Sequence, residues 1–230
     1  MKKNVNFYCA CSQAAGSAKF IKHIQQKNLL IIKNGIDLDK FMYDETKRRE
    51  LRVKLKIDEN CLVIGHVGRF SYEKNHDFLI DVFYEIVKQL NNVKLILVGK
   101  GPTENMIKRK VKKFGLESKV IFYGEIKNVC NCLQIMDVFV FPSKFEGLGI
   151  ACIEAQATGL NCFVSDKCPA DLKITDLTHF LPLAIGATNW AENIIRQGKH
   201  KRRWSRTDEL LKAGYDIDTT AKFIRNLYLK

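Results

Sequence analysis

Phe141-Pro-Ser-Lys-Phe-Glu-Gly-Leu-Gly-Ile-Ala-Cys-Ile-Glu-Ala-Gln-Ala-Thr-Gly159 is the stretch on which the reading of this chain turns. It continues the apolar run Asp137–Phe141, which reads as a buried strand stopped at Pro142. A short loop follows, then a helix-period segment over 148–158 that ends at Gly159, a residue suited to the C′ position. Strand, loop and helix in that order put Gly147 and Gly149 at the loop-to-helix junction. Glycines there let backbone N–H groups approach a ligand closely. The helix N-terminus adds partial positive charge, which favours phosphate. Two carboxylates frame the loop, Glu146 just before the glycines and Glu154 eight residues on, inside the helix. The residues by themselves describe an anion site with two acids beside it. A βα turn with packing glycines and two solvated glutamates is the competing reading.

The same alternation runs outward from this stretch. Before it, strands are expected at 5–11, Leu29–Ile32, Leu62–Val67, Lys94–Val98 and Val120–Tyr123. Helices are expected at 13–26, 44–56, Asp77–Leu90, Thr103–Phe114 and Asn128–Met136, with Ser12 as a cap for the first. After it come strands at Asn161–Ser165 and 179–183, and helices near 188–197 and 207–228. Strands alternating with helices predict a doubly wound α/β fold on a parallel sheet. Ligands bind such sheets beyond the C-terminal strand ends, at the point where strand order reverses.

Composition sets further bounds. Hydrophobic residues make up 46% of 230, ample for a packed core. No apolar run reaches the ~18 residues of a membrane span, and Met1–Tyr8 has no signal-peptide apolar region, so a cytoplasmic protein is expected. The net charge of +13 includes basic runs at Lys108–Lys113 and Lys199–Arg206. These are either solvated faces or an attraction for an anionic membrane surface, giving a peripheral contact at its inner face. No nucleic-acid motif accompanies them, so nucleic acid is not expected as a partner. Eight cysteines include Cys-x-Cys pairs at 9/11 and 130/132, but the usual zinc spacing is Cys-x2-Cys, and reduced structural thiols are expected.

The first loop to search is Gly68-Arg69-Phe70-Ser71-Tyr72-Glu73-Lys74-Asn75. Arg69 as a fork and Lys74 as a point charge bracket a turn after the first core strand and suit a diphosphate. Surface charge on a βα loop is the alternative. His66 on that strand reads as a packed residue, and His76 as the start of a helix; neither is expected to be catalytic.

Pro-Ser-x-x-Glu-Gly-x-Gly-x4-Glu-Ala, preceded about seventy residues earlier by Gly-Arg-x4-Lys, resembles the donor site of retaining GT-B glycosyltransferases of family 4, capsular or exopolysaccharide type. The resemblance implies a Rossmann-like doubly wound sheet, the C-terminal domain of a GT-B fold. It implies a nucleotide-diphospho-sugar donor, a UDP-sugar above all, with transfer to a polysaccharide or lipid-linked acceptor and no required metal or other cofactor. Arg69 and Lys74 would hold the phosphates and stabilise the leaving nucleotide. Glu146 would orient the donor sugar, completing the catalytic set. Gly68 and the Gly147-Leu148-Gly149 segment would line the ligand, and Glu154 would bind the ribose hydroxyls. The Tyr123–Ile126 turn, with Glu125 and Ile126, would read the base through backbone groups, and Ser143 is either a weaker candidate or a loop cap. Ala10–Gly16 and Ile32–Asp37 resemble the bridge between the two halves of such enzymes. Residues 1–35 then read as the remnant of an acceptor domain, 36–200 as the nucleotide-sugar domain and 201–230 as a C-terminal helix. A separate N-terminal half or a homologous subunit is an implied partner, and a non-catalytic donor-binding half is the alternative function.

Overall fold

The computed structural model describes residues 8–20, 29–198 and 203–229. Two short parallel strands come first, β1 (Tyr8–Ala10) and β2 (Leu29–Ile31), joined by α1 (Gln13–Phe20). Ser12 Oγ accepts from the Ala15 amide, the expected cap. Residues 5–7 and 21–26 of the expected first strand and helix lie outside the described residues. The segment Ile36–Phe41 pairs Ile36 with Asp216 and then makes a short 3-10 turn.

After α2 (Glu45–Lys54) the alternation becomes regular. It runs β3 (Leu62–Val67), α3 (His76–Gln89), β4 (Val93–Val98), α4 (Glu104–Lys113), β5 (Val120–Gly124) and α5 (Val129–Ile135). It continues through β6 (Val138–Phe141), α6 (Ile150–Ala157), β7 (Asn161–Ser165), β8 (Thr178–Leu181) and α7 (Gly186–Gln197). The strands form one parallel sheet in the order β5-β4-β3-β6-β7-β8. That is the strand order of dinucleotide-binding sheets, and it reverses between β3 and β6. Strands β6 and β7 are buried along their whole length and β3 and β4 nearly so, as their unbroken apolar runs require when helices cover both faces. One face is closed by Leu79, Phe83, Ile107 and Trp190, from α3, α4 and α7. The other is closed by Leu133, Ile153, Ala155 and Leu210.

The expected single helix over 207–228 is two, α8 (Thr207–Lys212) and α9 (Ile217–Tyr228). The chain breaks because Tyr215 is buried, Asp216 pairs with Ile36, and Asp216 caps α9 by accepting from the Thr219 amide. Leu210 and Tyr215 belong to the same core as β6 and α6, whereas α9 buries none of its residues.

Three guanidinium groups tie the lower end of the sheet. Arg48, Arg52 and Arg203 donate to backbone carbonyls between Leu133 and Met136, at the C-terminal end of α5. Asp137 binds both Arg48 and Arg52 and also accepts from the Val63 amide. The eight cysteines are free thiols, six of them buried.

Candidate donor-site crevice

The crevice at the reversal of strand order is flanked by the loop after β3 and the loop after β6. Gly68 anchors the first loop by donating to the Val98 carbonyl. Arg69 is exposed, and its guanidinium makes no hydrogen bond or ion pair among the described residues. Lys74 turns inward: its Nζ lies 2.5 Å from Glu146 Oε1 and 5.0 Å from the centre of the Phe141 ring. Ser143, fully buried, donates to the same Glu146 oxygen at 2.8 Å. Glu146 is 9% exposed, so the carboxylate is held by two donors with one edge left to the crevice.

Two more bonds join the loops. Asn75 sits in the left-handed region (φ 57°) ahead of α3 and sends its side chain to the Pro142 carbonyl rather than to its own helix. The Lys144 amide donates to the Glu73 carbonyl at 2.7 Å. The outer rim carries Tyr72, with the Lys144 ammonium 3.5 Å from its ring centre, and the exposed Phe145.

Gly149 caps α6 at φ 80°, a conformation that L side chains rarely adopt. With no side-chain cap, the first amides of α6 remain available to an anion. Leu148 between the glycines packs into the core, so only its backbone faces the crevice. The Gly147 carbonyl accepts from Ser12 Oγ, which links the glycine loop to the turn after β1. Glu154, one turn into α6, is half-buried and its carboxyl has no partner among the described residues. Burial raises its pKa to about 7.

The Gly124–Lys127 turn ends β5, two strands from β3, roughly 10 Å across the sheet. The Gly99 amide holds it by donating to the Gly124 carbonyl. Glu125 is exposed, whereas Ile126 packs against the core. The structure thus brings Lys74, Ser143 and Glu146 into contact and sets Arg69, the glycines and the first amides of α6 on the loops around them. Glu125 stands apart on the β5 edge. Sequence reasoning missed Asn75 and rated Ser143 low. The signal for Asn75 was an asparagine directly before a helix, where it tolerates positive φ. For Ser143 the signal was the Ser-x-x-Glu spacing that puts Glu146 three residues on, within reach inside one loop. Among the described residues no group of three His, Cys, Asp or Glu side chains is placed to hold a metal ion.

Residues 47–178, which contain both loops, α6 and the β5 turn, match the family of glycosyl transferases group 1. The chain is 32% identical over 234 residues to the putative glycosyltransferase EpsF of Bacillus subtilis, covering 98% of this chain and 60% of that protein. It is 27% identical over 223 residues to the capsular polysaccharide biosynthesis glycosyltransferase CapH of Staphylococcus aureus, covering 91% and 59%. It thus spans about 60% of the length of these relatives. The fold matches the crystal structure of Anabaena Alr3699/HepE in complex with UDP-glucose with a TM-score of 0.83 at 18% identity, over the whole of this chain and 65% of that one.

Proposed function

The chain belongs to the family of glycosyl transferases group 1, and on that premise we propose that it forms the nucleotide-sugar-binding half of a retaining, family 4 GT-B glycosyltransferase of the capsular or exopolysaccharide type. The donor is a nucleotide-diphospho-sugar, and the Anabaena relative's complex with UDP-glucose favours a UDP-sugar. The observation that carries the reading is the meeting of Lys74 and Glu146 across the crevice where strand order reverses. A cation from one loop and a carboxylate from the other suit a ligand with a diphosphate beside a hydroxylated sugar.

In this reading Arg69, Lys74 and the first amides of α6 neutralise the diphosphate. As the bond between the sugar's anomeric carbon and the diphosphate oxygen breaks, charge grows on that oxygen, and these groups stabilise it. Glu146 accepts sugar hydroxyls, held in place by Ser143 and Lys74. Glu154 accepts from the ribose, and the Tyr123–Ile126 turn reads the base. The donor domain runs from about Ile36 to Asp216, since Leu210 and Tyr215 complete its core. The acceptor is a polysaccharide or a lipid-linked sugar, positioned by a second wall that closes over the crevice. Exposed Lys108, Arg109, Lys112 and Lys113 on α4 support contact with an anionic membrane surface, and no described helix is long and apolar enough to cross a membrane.

Calorimetry with UDP, GDP and UDP-sugars tests the donor assignment. Saturable UDP binding at sub-millimolar concentration, weakened in Arg69→Ala and Lys74→Ala, is expected. The absence of binding by any nucleoside diphosphate at millimolar concentration overturns it. Binding without transfer in the presence of the second wall and lipid-linked acceptors favours the non-catalytic alternative.

A further inference from the structure

The two walls of the crevice are not held together by backbone along their length. β3 pairs with β4 from Leu62 to Val67, but with β6 at only two positions, Ile64 with Val138 and Gly65 with Phe139. Beyond Gly65 the strands separate, which opens the crevice. The next link between them is a side chain: His66 Nδ1 lies 2.8 Å from the Val140 carbonyl oxygen. Above it come the bonds from Asn75 to Pro142, Lys144 to Glu73 and Lys74 to Glu146. His66 is therefore the innermost of four ties that set how far apart the two loops stand.

The chemistry of that tie is specific. A carbonyl oxygen only accepts, so Nδ1 carries the proton and Nε2 is the bare acceptor. Nε2 is fully buried and has no partner among the described residues. It lies beneath the first loop, where a Cβ added to Gly68 would stand 2.9 Å from it. His76, the first residue of α3, meets the His66 ring edge to face at 4.6 Å and stacks on Phe70 at 4.1 Å. Burial holds His66 down at about 4 and His76 at about 2, and the Lys74 ammonium adds to both effects. Both rings are therefore neutral near pH 7, and Arg69 and Lys74 are left as the cations of this wall. Packing alone does not explain the imidazole. His66 stacks on Phe139 and Phe141 and meets His76 edge to face, where an apolar side chain would fill the space without burying a bare nitrogen.

We propose that His66 is a positioning residue of the donor site, its Nδ1–H bond to Val140 fixing the separation of the loops that carry Lys74 and Glu146. This rests on the donor-site reading given above. His66 touches no ligand and acts through the loops.

Asparagine and leucine share a branched shape, but only asparagine places a donor where Nδ1 stands. His66→Leu is expected to weaken UDP binding about tenfold or more, the effect of losing one buried link worth about 1.4 kcal/mol. His66→Asn is expected to stay within about threefold of the wild type. Uridine, which has no phosphate to meet Lys74, is expected to bind all three proteins equally. A loss of the same size for uridine marks a merely structural role and overturns the proposal. So does a His66→Asn variant as weak as His66→Leu, or a His66→Leu variant that binds UDP like the wild type. Where His66→Leu does not fold, His66→Gln takes its place, since its amide stands at the Nε2 position. Long-range 1H–15N spectra of the ligand-free wild type supply a separate readout. The Nδ1–H tautomer of His66 is expected, and an Nε2–H tautomer or an imidazolium overturns the proposal. A wild type that binds no UDP defeats the donor reading, while the tautomer still decides whether His66 holds Val140.

Discussion

Lys74 Nζ and Glu146 Oε1 stand 2.5 Å apart although seventy-two residues separate them in the chain. The pair closes the crevice between β3 and β6, and its members differ in exposure, 23% for the lysine side chain and 9% for the glutamate. Without ligand the cation neutralises the carboxylate. In the proposed complex a diphosphate shares the ammonium, whose three N–H groups reach more than one acceptor.

Arg69 and Lys74 are therefore expected to respond differently to truncation. Arg69→Ala removes an exposed group that makes no hydrogen bond or ion pair among the described residues, so UDP affinity should fall by about 1.5–3 kcal/mol with melting temperature unchanged. Lys74→Ala should cost a similar amount of affinity and also about 1–3 kcal/mol of stability, because Glu146 keeps only Ser143 as a partner. Calorimetry and thermal melts on both variants check this. Equal stability losses would show that the Lys74–Glu146 pair carries no structural weight.

Glu154 gives a pH signature. Its carboxyl is pushed up to about 7 from its ordinary 4.5 by burial. A carboxyl whose pKa is raised on folding binds more protons folded than unfolded between those two values, so its contribution falls as pH rises through that window and is flat above it. Glu154→Gln removes the effect, and the variant should gain up to about 3 kcal/mol relative to wild type between pH 4.5 and pH 8. Urea unfolding of both proteins across that range is the measurement, and a difference that does not change with pH rules the effect out.

The same substitution separates the ribose from the phosphates. Glu154→Gln should weaken UDP and UMP alike by about 1–2 kcal/mol, since a neutral amide is a poorer acceptor for two hydroxyls. Inorganic diphosphate should bind as before. An equal loss for diphosphate would move Glu154 from the ribose to the phosphates.

Asp137 is expected to matter for folding rather than for ligand. It binds Arg48 and Arg52, of which Arg52 is 3% exposed, and accepts from the Val63 amide at 2.7 Å. Asp137→Ala leaves buried guanidinium charge uncompensated and should cost about 3–5 kcal/mol. Denaturant unfolding reads this directly, and a loss under about 1 kcal/mol would mean that the α5 carbonyls alone satisfy the arginines.

Much of the architecture was legible in the sequence because its signals are local. The run Val138–Phe141, the α3 face of Leu79, Val82, Phe83 and Ile86, and the close of α6 at Gly159 follow from side-chain period and from φ preferences. Gly159 takes the expected left-handed φ of 73°. The break between α8 and α9 also carries local signals that the single-helix reading passed over: Gly214 takes a left-handed φ of 80° just past α8, and Asp216 caps α9. What no local signal gave is the pairing of Asp216 with Ile36, far upstream.

What the sequence determined by itself was the alternation of strand and helix, the glycine loop at a helix N-terminus and the chemical types available on each loop. These depend on periods of two and 3.6 residues and on single-residue backbone preferences. What only the tertiary structure decided was which of those residues meet. Lys74 touches Glu146 and His66 reaches Val140 because β6 lies beside β3 rather than beside β5. Strand order and register are fixed by burying both faces of the whole sheet at once, and no local pattern within either loop encodes that choice.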